Sequence, residues 1–468
     1  MSLFDASVER LRARVGSLHA DLALWIERTS PLGDLAVHNS QLLRLRDYLG
    51  GTLDAVVRGT PVDPATTPPF GGTIDDIPRL RRGVGSVHLL WDFFRDKLAQ
   101  RDMATFADHL GAADDLAWAC YAPFLKAATQ AEPPTVAGDE VREPPLVFYS
   151  TDRSPFAQAR TKTLHPPGLD AKDLQFFAAA LQGLPVPVIG MPWDIANRMP
   201  ETTLVGHEAG HVIAEDLRLA EEARVAVRAA EFAGDADGVR KSVWEKWCDE
   251  VFADVIGVLA TGGAFVEGLT VELAGERDEI RLAPINRERP GRYPTPMLRV
   301  ALCAELLRRV GVTAPTAWAE TYGPVVGDSR DFTDDPPVVA AALLDRSWQA
   351  LGGRRLAEVL PWTAQREADA RAVGERALHD LPATVPFDVR LWVAAAMHAY
   401  RRDPRGYAER GLDRMLAQTI VEQRTAGVRS TRGLREAMLP FDTPRTADQT
   451  RDADRKAGAD LAHRLGLA

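Results

Sequence analysis

Leu204-Val205-Gly206-His207-Glu208-Ala209-Gly210-His211-Val212-Ile213 reads HExxH inside an apolar frame. On an α-helix, positions four apart share a face, so His207 and His211 project together, one turn apart. Their ring nitrogens can then reach one ion at about 2.0–2.1 Å. Glu208 is turned by about 100° from His207, which sets it beside such an ion rather than on it. A carboxylate there is placed to act as base for a metal-activated water. This is the pattern of a zinc-dependent hydrolase helix, and among the chain's ten histidines it occurs once. A chance match usually carries charged or helix-breaking neighbours, whereas Leu204, Val205, Val212 and Ile213 are apolar. Gly206 and Gly210 each cost a helix about 1 kcal/mol relative to alanine. With Thr203 and Ala214 they form a small-residue stripe, a liability unless another backbone or a substrate must come close.

A catalytic zinc commonly takes three protein ligands and leaves a fourth position to water. The segment from Trp244 to Ile256 offers the best third ligand. Trp244, Trp247, Cys248, Val251, Phe252, Val255 and Leu259 recur at helical spacing. Glu250 and Asp254 lie four apart at the flank of that apolar face. Two carboxylates against a core are costly unless something pairs with them, and a metal with its bound imidazole would pair with both.

These two motifs resemble those of the gluzincin metallopeptidases, in which HExxH is followed some tens of residues later by a helix carrying Glu-x-x-x-Asp. Here Glu250 stands 39 residues after His211. The resemblance implies one zinc per chain, held by His207, His211 and Glu250, with Asp254 hydrogen-bonded to His207. A carboxylate in that place fixes the ring tautomer and raises ligand basicity. The motifs span only about 186–254 and specify mechanism, not substrate. Glu215 and Asp249 are weaker rivals for the third ligand. The first points along its own helix, and the second is turned about 100° from Glu250. The metzincin pattern needs a third histidine soon after His211, and none occurs before His379.

At 468 residues the chain exceeds one compact core. Its segments read as an N-terminal helical domain (1–130), a zincin-like catalytic core (146–311) and a C-terminal helical domain (312–468). The expected fold class is mainly α with a small β-element, a metallopeptidase core flanked by helical domains. A net charge of −10 gives no reason to expect nucleic acid or an anionic membrane as partner. Three cysteines, Cys120, Cys248 and Cys303, are read as buried free thiols. The opening residues lead into charged helix rather than a signal sequence, and no apolar run is long enough to cross a bilayer. A cytoplasmic location is the expectation; oligomeric state is left open.

Leu11, Val15, Leu18, Leu22 and Trp25 mark a first helix, and Leu42 to Leu49 a second. A proline- and glycine-rich loop over 60–72, a linker over 130–145 and a helix over 176–184 follow. Leu146–Ser150 is a strand candidate. Val186-Pro187-Val188-Ile189-Gly190-Met191 is flanked by prolines, which suits an edge strand. In gluzincins an edge strand before the active-site helix binds substrate by strand addition. That resemblance makes Val188, Ile189 and Gly190 candidate peptide-binding residues, with a purely structural strand as the even alternative. Tyr293 is the candidate for stabilising the oxyanion and Arg299 the second, each against the commoner reading of a residue packed at a helix start. The tail after Gly427 is polar, with weak apolar pattern.

The expected activity is peptide-bond hydrolysis through a zinc-activated water, with Glu208 as general base. Two alternatives remain: a silent zinc-binding scaffold for a partner, and a zinc hydrolase of small non-peptide substrates. An intact Glu208 argues against the first, and the proline-rich strand argues weakly against the second.

Overall fold

The computed structural model describes residues 1–29, 35–58, 73–136, 143–158, 175, 179, 186–235, 237–324, 326–427 and 447–465. The expected loop at 60–72 and nearly all of the helix at 176–184 lie outside them. The described chain is mostly helical with one three-stranded sheet. Four long helices come first: α1 (Leu3–Glu27), α2 (Asn39–Arg58), α3 (Ile77–Ala99) and α4 (Ala104–Thr129). The strands β1 (Leu146–Ser150), β2 (Phe156–Gln158) and β3 (Val188–Pro192) follow. Then come α5 (Leu204–Asp216), α6 (Leu219–Ala229), α7 (Val239–Lys246), α8 (Cys248–Thr261), α9 (Gly263–Glu272), α10 (Arg277–Arg281) and α11 (Pro296–Arg309). Further helices include Ala364–Leu378, Val389–Arg402 and Ala447–Arg464.

Strand order is β1-β3-β2, with β1 parallel and β2 antiparallel to β3. This corrects the edge-strand reading of Val188–Met191, because β3 is the middle strand. Its prolines bracket the paired stretch instead of interrupting it. Pro187 still contributes its carbonyl, which accepts from the Leu146 N–H at 2.9 Å. Gly190 lacks a side chain where the Phe156 ring crosses, since a Cβ there would stand 2.3 Å from that ring. On its outer side β1 is closed by side chains. Asp114 accepts from the Val147 N–H, Arg101 donates to the Val147 carbonyl, and Gln100 bonds both backbone groups of Tyr149.

The sheet separates two apolar cores. Leu146, Phe148 and Val188 face one formed by α1, α2 and α3, while Val147, Tyr149, Ile189 and Met191 face the other. That second core holds α4, α5, α8, α11 and helices as far as Ile420. The cores therefore cross the segment boundaries read from the sequence. The polar tail yields a second difference. Helix Ala447–Arg464 lies along α2, with Leu461 and Ala462 buried in the first core. Its contact escaped the apolar pattern because it is built from glycine and charge. A Cβ on Gly458 would fall 2.0 Å from the Tyr48 carbonyl oxygen, and Arg44 binds Asp454 through Nε and Nη2 at 2.8 and 2.7 Å.

A continuous helix through Trp244–Leu259 was the expectation, but the chain turns at Trp247 and α8 begins afresh at Cys248. Helix α8 packs directly on α5. A Cβ on Gly206 would sit 2.8 Å from the Ala260 Cβ, and one on Gly210 would sit 2.8 Å from the Ala253 Cα. The small-residue stripe thus serves backbone-to-backbone approach. Helix α8 ends at Gly262, whose φ of 59° favours glycine. Glu367, from the helix Ala364–Leu378, accepts there from the Gly263 N–H at 3.0 Å and from Trp362 Nε1 at 3.1 Å.

Two predictions follow from this packing. Gly210→Ala should destabilise, because overpacking against a neighbouring backbone costs about 1–3 kcal/mol and exceeds the roughly 1 kcal/mol gained in helix propensity. Gly16→Ala on α1, where a Cβ meets nothing within 4 Å, should stabilise. Denaturant titrations of both variants check the opposite signs. The second concerns Glu367. Burial works against its charge, but His398, the Gly263 N–H and Arg371 outweigh that and hold the carboxyl down at about 2. A depressed carboxyl contributes stability that is complete above its unfolded value, about 4.3, and lost as pH falls through about 2. Glu367→Gln should therefore flatten the acid limb of the stability curve over that window, by about 3 kcal/mol.

Candidate metal centre

The seam between α5 and α8 brings three side chains to one point. His207 Nε2 and His211 Nε2 lie 3.5 and 3.4 Å from Glu250 Oε2. All three residues are buried, and their ligand atoms lie within 4.8 Å of one another. Separations of 3.4–3.5 Å are long for hydrogen bonds. They match tetrahedral ligands, which stand about 3.4 Å apart when each is about 2.1 Å from a common ion. Glu250 Oε1 is buried without a hydrogen-bond partner, although Arg292 Nε lies 3.1 Å away. Two imidazoles and a carboxylate in this arrangement are consistent with a bound metal ion. Among the described residues no other group of three side chains meets that spacing.

Asp254 stands behind the first histidine. Its Oδ1 is 2.9 Å from His207 Nδ1, which leaves Nε2 facing Glu250. The Phe265 ring lies parallel to the imidazole with centroids 6.1 Å apart. It fits there because Gly257 has no side chain; a Cβ would meet that ring at 2.7 Å. Arg299 donates to Asp254 through Nε at 2.7 Å and Nη2 at 2.8 Å. Its guanidinium, expected to meet substrate, therefore braces the carboxylate that orients His207, although the residue also reaches the cleft wall.

The electrostatics follow from burial set against close partners. Burial opposes charge on His207, but Asp254 and Glu250 outweigh it and raise the imidazole to about 9. Burial likewise opposes ionisation of Glu250, and the two imidazoles outweigh it, holding the carboxyl well below the usual range. Asp254 is also lowered, its burial overcome by Arg299 and His207. Asp249, the adjacent rival, is exposed and held by Arg224 at 2.7 and 3.0 Å.

The three residues open on a cleft of about 1040 Å³. Glu208 lines it, is 5% exposed, and has no hydrogen bond or ion pair among the described residues. Tyr293 lies on the cleft wall, 49% exposed, with burial and the nearby Glu250 carboxylate raising its phenol. Val188, Ile189 and Gly190 are buried within the sheet and do not line the cleft. Sequence reasoning missed Arg292, Trp193 and Lys97, which do. Arg292 adjoins Tyr293, so its place had a local signal; Lys97, on a distant helix, had none. The three cysteines are free and buried, as expected, and among the described residues no helix is long and apolar enough to cross a membrane.

Fold and site together define a mainly helical protein with a buried His-His-Glu group on two packed helices. The chain matches no known family, no curated protein and no solved structure.

Asp254→Asn keeps the size of the side chain but removes the charge shared by His207 and Arg299. Metal affinity should fall about 10–100-fold, as measured by competition with a chromogenic chelator. The metal-free protein should also lose about 3–5 kcal/mol, because Arg299 is left as an unpaired buried cation. Unchanged affinity would mean that Asp254 does not support the site.

Proposed function

We propose that the protein is a zinc-dependent peptidase of the gluzincin type. The observation that carries this reading is the pairing of a metal-spaced His207-His211-Glu250 group with a buried, unpartnered Glu208 on the same cleft. The donor set alone also suits non-haem iron, since two histidines and one carboxylate serve both ions. A free carboxylate beside the ligands is the feature a hydrolase needs. A partner-binding scaffold has no use for it.

In this reading His207, His211 and Glu250 hold the ion, and Asp254 with Arg299 fixes the orientation of His207. Bound zinc supplies Lewis acidity to the scissile carbonyl and the attacking water. Glu208 accepts the proton that the water loses and delivers it to the leaving amine. Tyr293, whose hydroxyl has no protein partner among the described residues, is the donor for the carbonyl oxygen as it gains charge. A cleft of about 1040 Å³ supports a short peptide over a smaller amide, because it stands at the upper end of the roughly 300–1,000 Å³ of ordinary ligand pockets.

Glu208→Gln separates catalysis from binding. The change is nearly isosteric, so zinc content measured by plasma mass spectrometry should match wild type. Cleavage of a peptide library read by mass spectrometry should slow by about 10²–10⁴-fold. A variant that holds zinc and cleaves as fast as wild type would overturn the assignment of Glu208. A zinc-loaded wild type that cleaves nothing would favour the scaffold.

A further inference from the structure

The cleft reaches well beyond the metal group. Helix α3 contributes Phe93 and Lys97 to it, and β1 contributes Phe148. Lys97 Nζ lies 3.3 Å from the centre of the Phe93 ring and 4.4 Å from that of Phe148. Its one described hydrogen bond goes to the Phe93 carbonyl, at 3.1 Å. The two arginines on the cleft are engaged, Arg292 beside Glu250 and Arg299 with Asp254. Lys97 has no carboxylate within ion-pair distance among the described residues. The ring faces attract the ammonium, but they do not replace a counter-ion for a cation partly withdrawn from water. Burial accordingly lowers its amine to about 7, opposed only by Asp96 on the same helix.

We propose that Lys97, framed by Phe93 and Phe148, is a subsite that receives a carboxylate of the ligand in this cleft. An arriving carboxylate would supply the missing counter-ion, and the rings would cover the apolar part next to it. Two sources share that chemistry, the C-terminal carboxylate of a peptide and an acidic side chain. The proposal rests on the peptidase reading only for the nature of the ligand, since the subsite can be tested without turnover.

The first arm uses the full-length wild-type protein and needs no catalysis. Acetylation of Lys97 by acetic anhydride is followed by mass spectrometry, with exposed Lys126 as the internal reference. N-acetylphenylalanine should slow labelling of Lys97 several-fold and leave Lys126 unchanged, while N-acetylphenylalaninamide should leave both unchanged. Equal labelling of Lys97 with the acid and the amide would overturn the subsite. The second arm compares library peptides with free and amidated C-termini, and amidated peptides carrying Glu or Gln. Wild type should prefer one carboxylate source by about tenfold in kcat/KM, the worth of a hydrogen bond to a charged group. Lys97→Gln should abolish that preference, and Lys97→Arg should keep most of it. A preference unchanged in Lys97→Gln would overturn the subsite with the peptidase reading intact. If wild type cleaves nothing, the peptidase reading fails and the labelling arm decides the subsite by itself.

Discussion

The metal group depends on how closely α5 can lie against α8. Side chains of ordinary size keep packed helices about 8–10 Å apart at their axes. At this seam Gly206 and Gly210 on one helix meet Ala260 and Ala253 on the other. The approach lets a histidine pair and a carboxylate on different helices share one point without extending into solvent. Glycine weakens α5 intrinsically, and the buried Val205, Val212, Val255 and Ile256 around the seam offset that through packing. Gly257 extends the same logic to the next layer, since Phe265 uses its vacant side to lie alongside His207.

The close approach carries a charged column into the core. Arg299, Asp254 and His207 are joined there by short contacts, and each is buried. Such a column adds little stability compared with an apolar replacement, yet breaking it leaves an unpaired charge in a dry environment. Its physical effect is directional. Asp254 takes Nδ1 of the imidazole, so Nε2 is turned toward Glu250, with Arg299 Nη2 also 3.3 Å from it.

The cleft is a product of both cores. One side comes from α5, α8 and the start of α11, which belong to the core holding α4 and the later helices. The other comes from α3 and β1, whose Phe93 and Phe148 face the core that also contains Leu461 and Ala462. The tight contact of helix Ala447–Arg464 with α2 thereby supports the far wall of a site that lies some 200 residues earlier in the chain. With β3 paired on both sides and β1 closed by Asp114, Arg101 and Gln100, neither offers a bare edge to a substrate strand.

The sequence by itself determined the local directions of the candidate site. Helical geometry converts the spacing of His207 and His211, and of Glu250 and Asp254, into shared faces, and those four residues meet as the motifs imply. It also marked the glycine stripe as a place of close approach, and the burial of the cysteines followed from their apolar surroundings. Tertiary structure alone decided that β3 is central, because strand order depends on partners far along the chain while prolines report only local pairing. It alone tied Arg299 to Asp254, brought Lys97 to the cleft, and docked Ala447–Arg464 through Gly458 and Asp454. Polar and glycine contacts of that kind have no apolar period, so in sequence they look like solvated surface until the partner helix is in place.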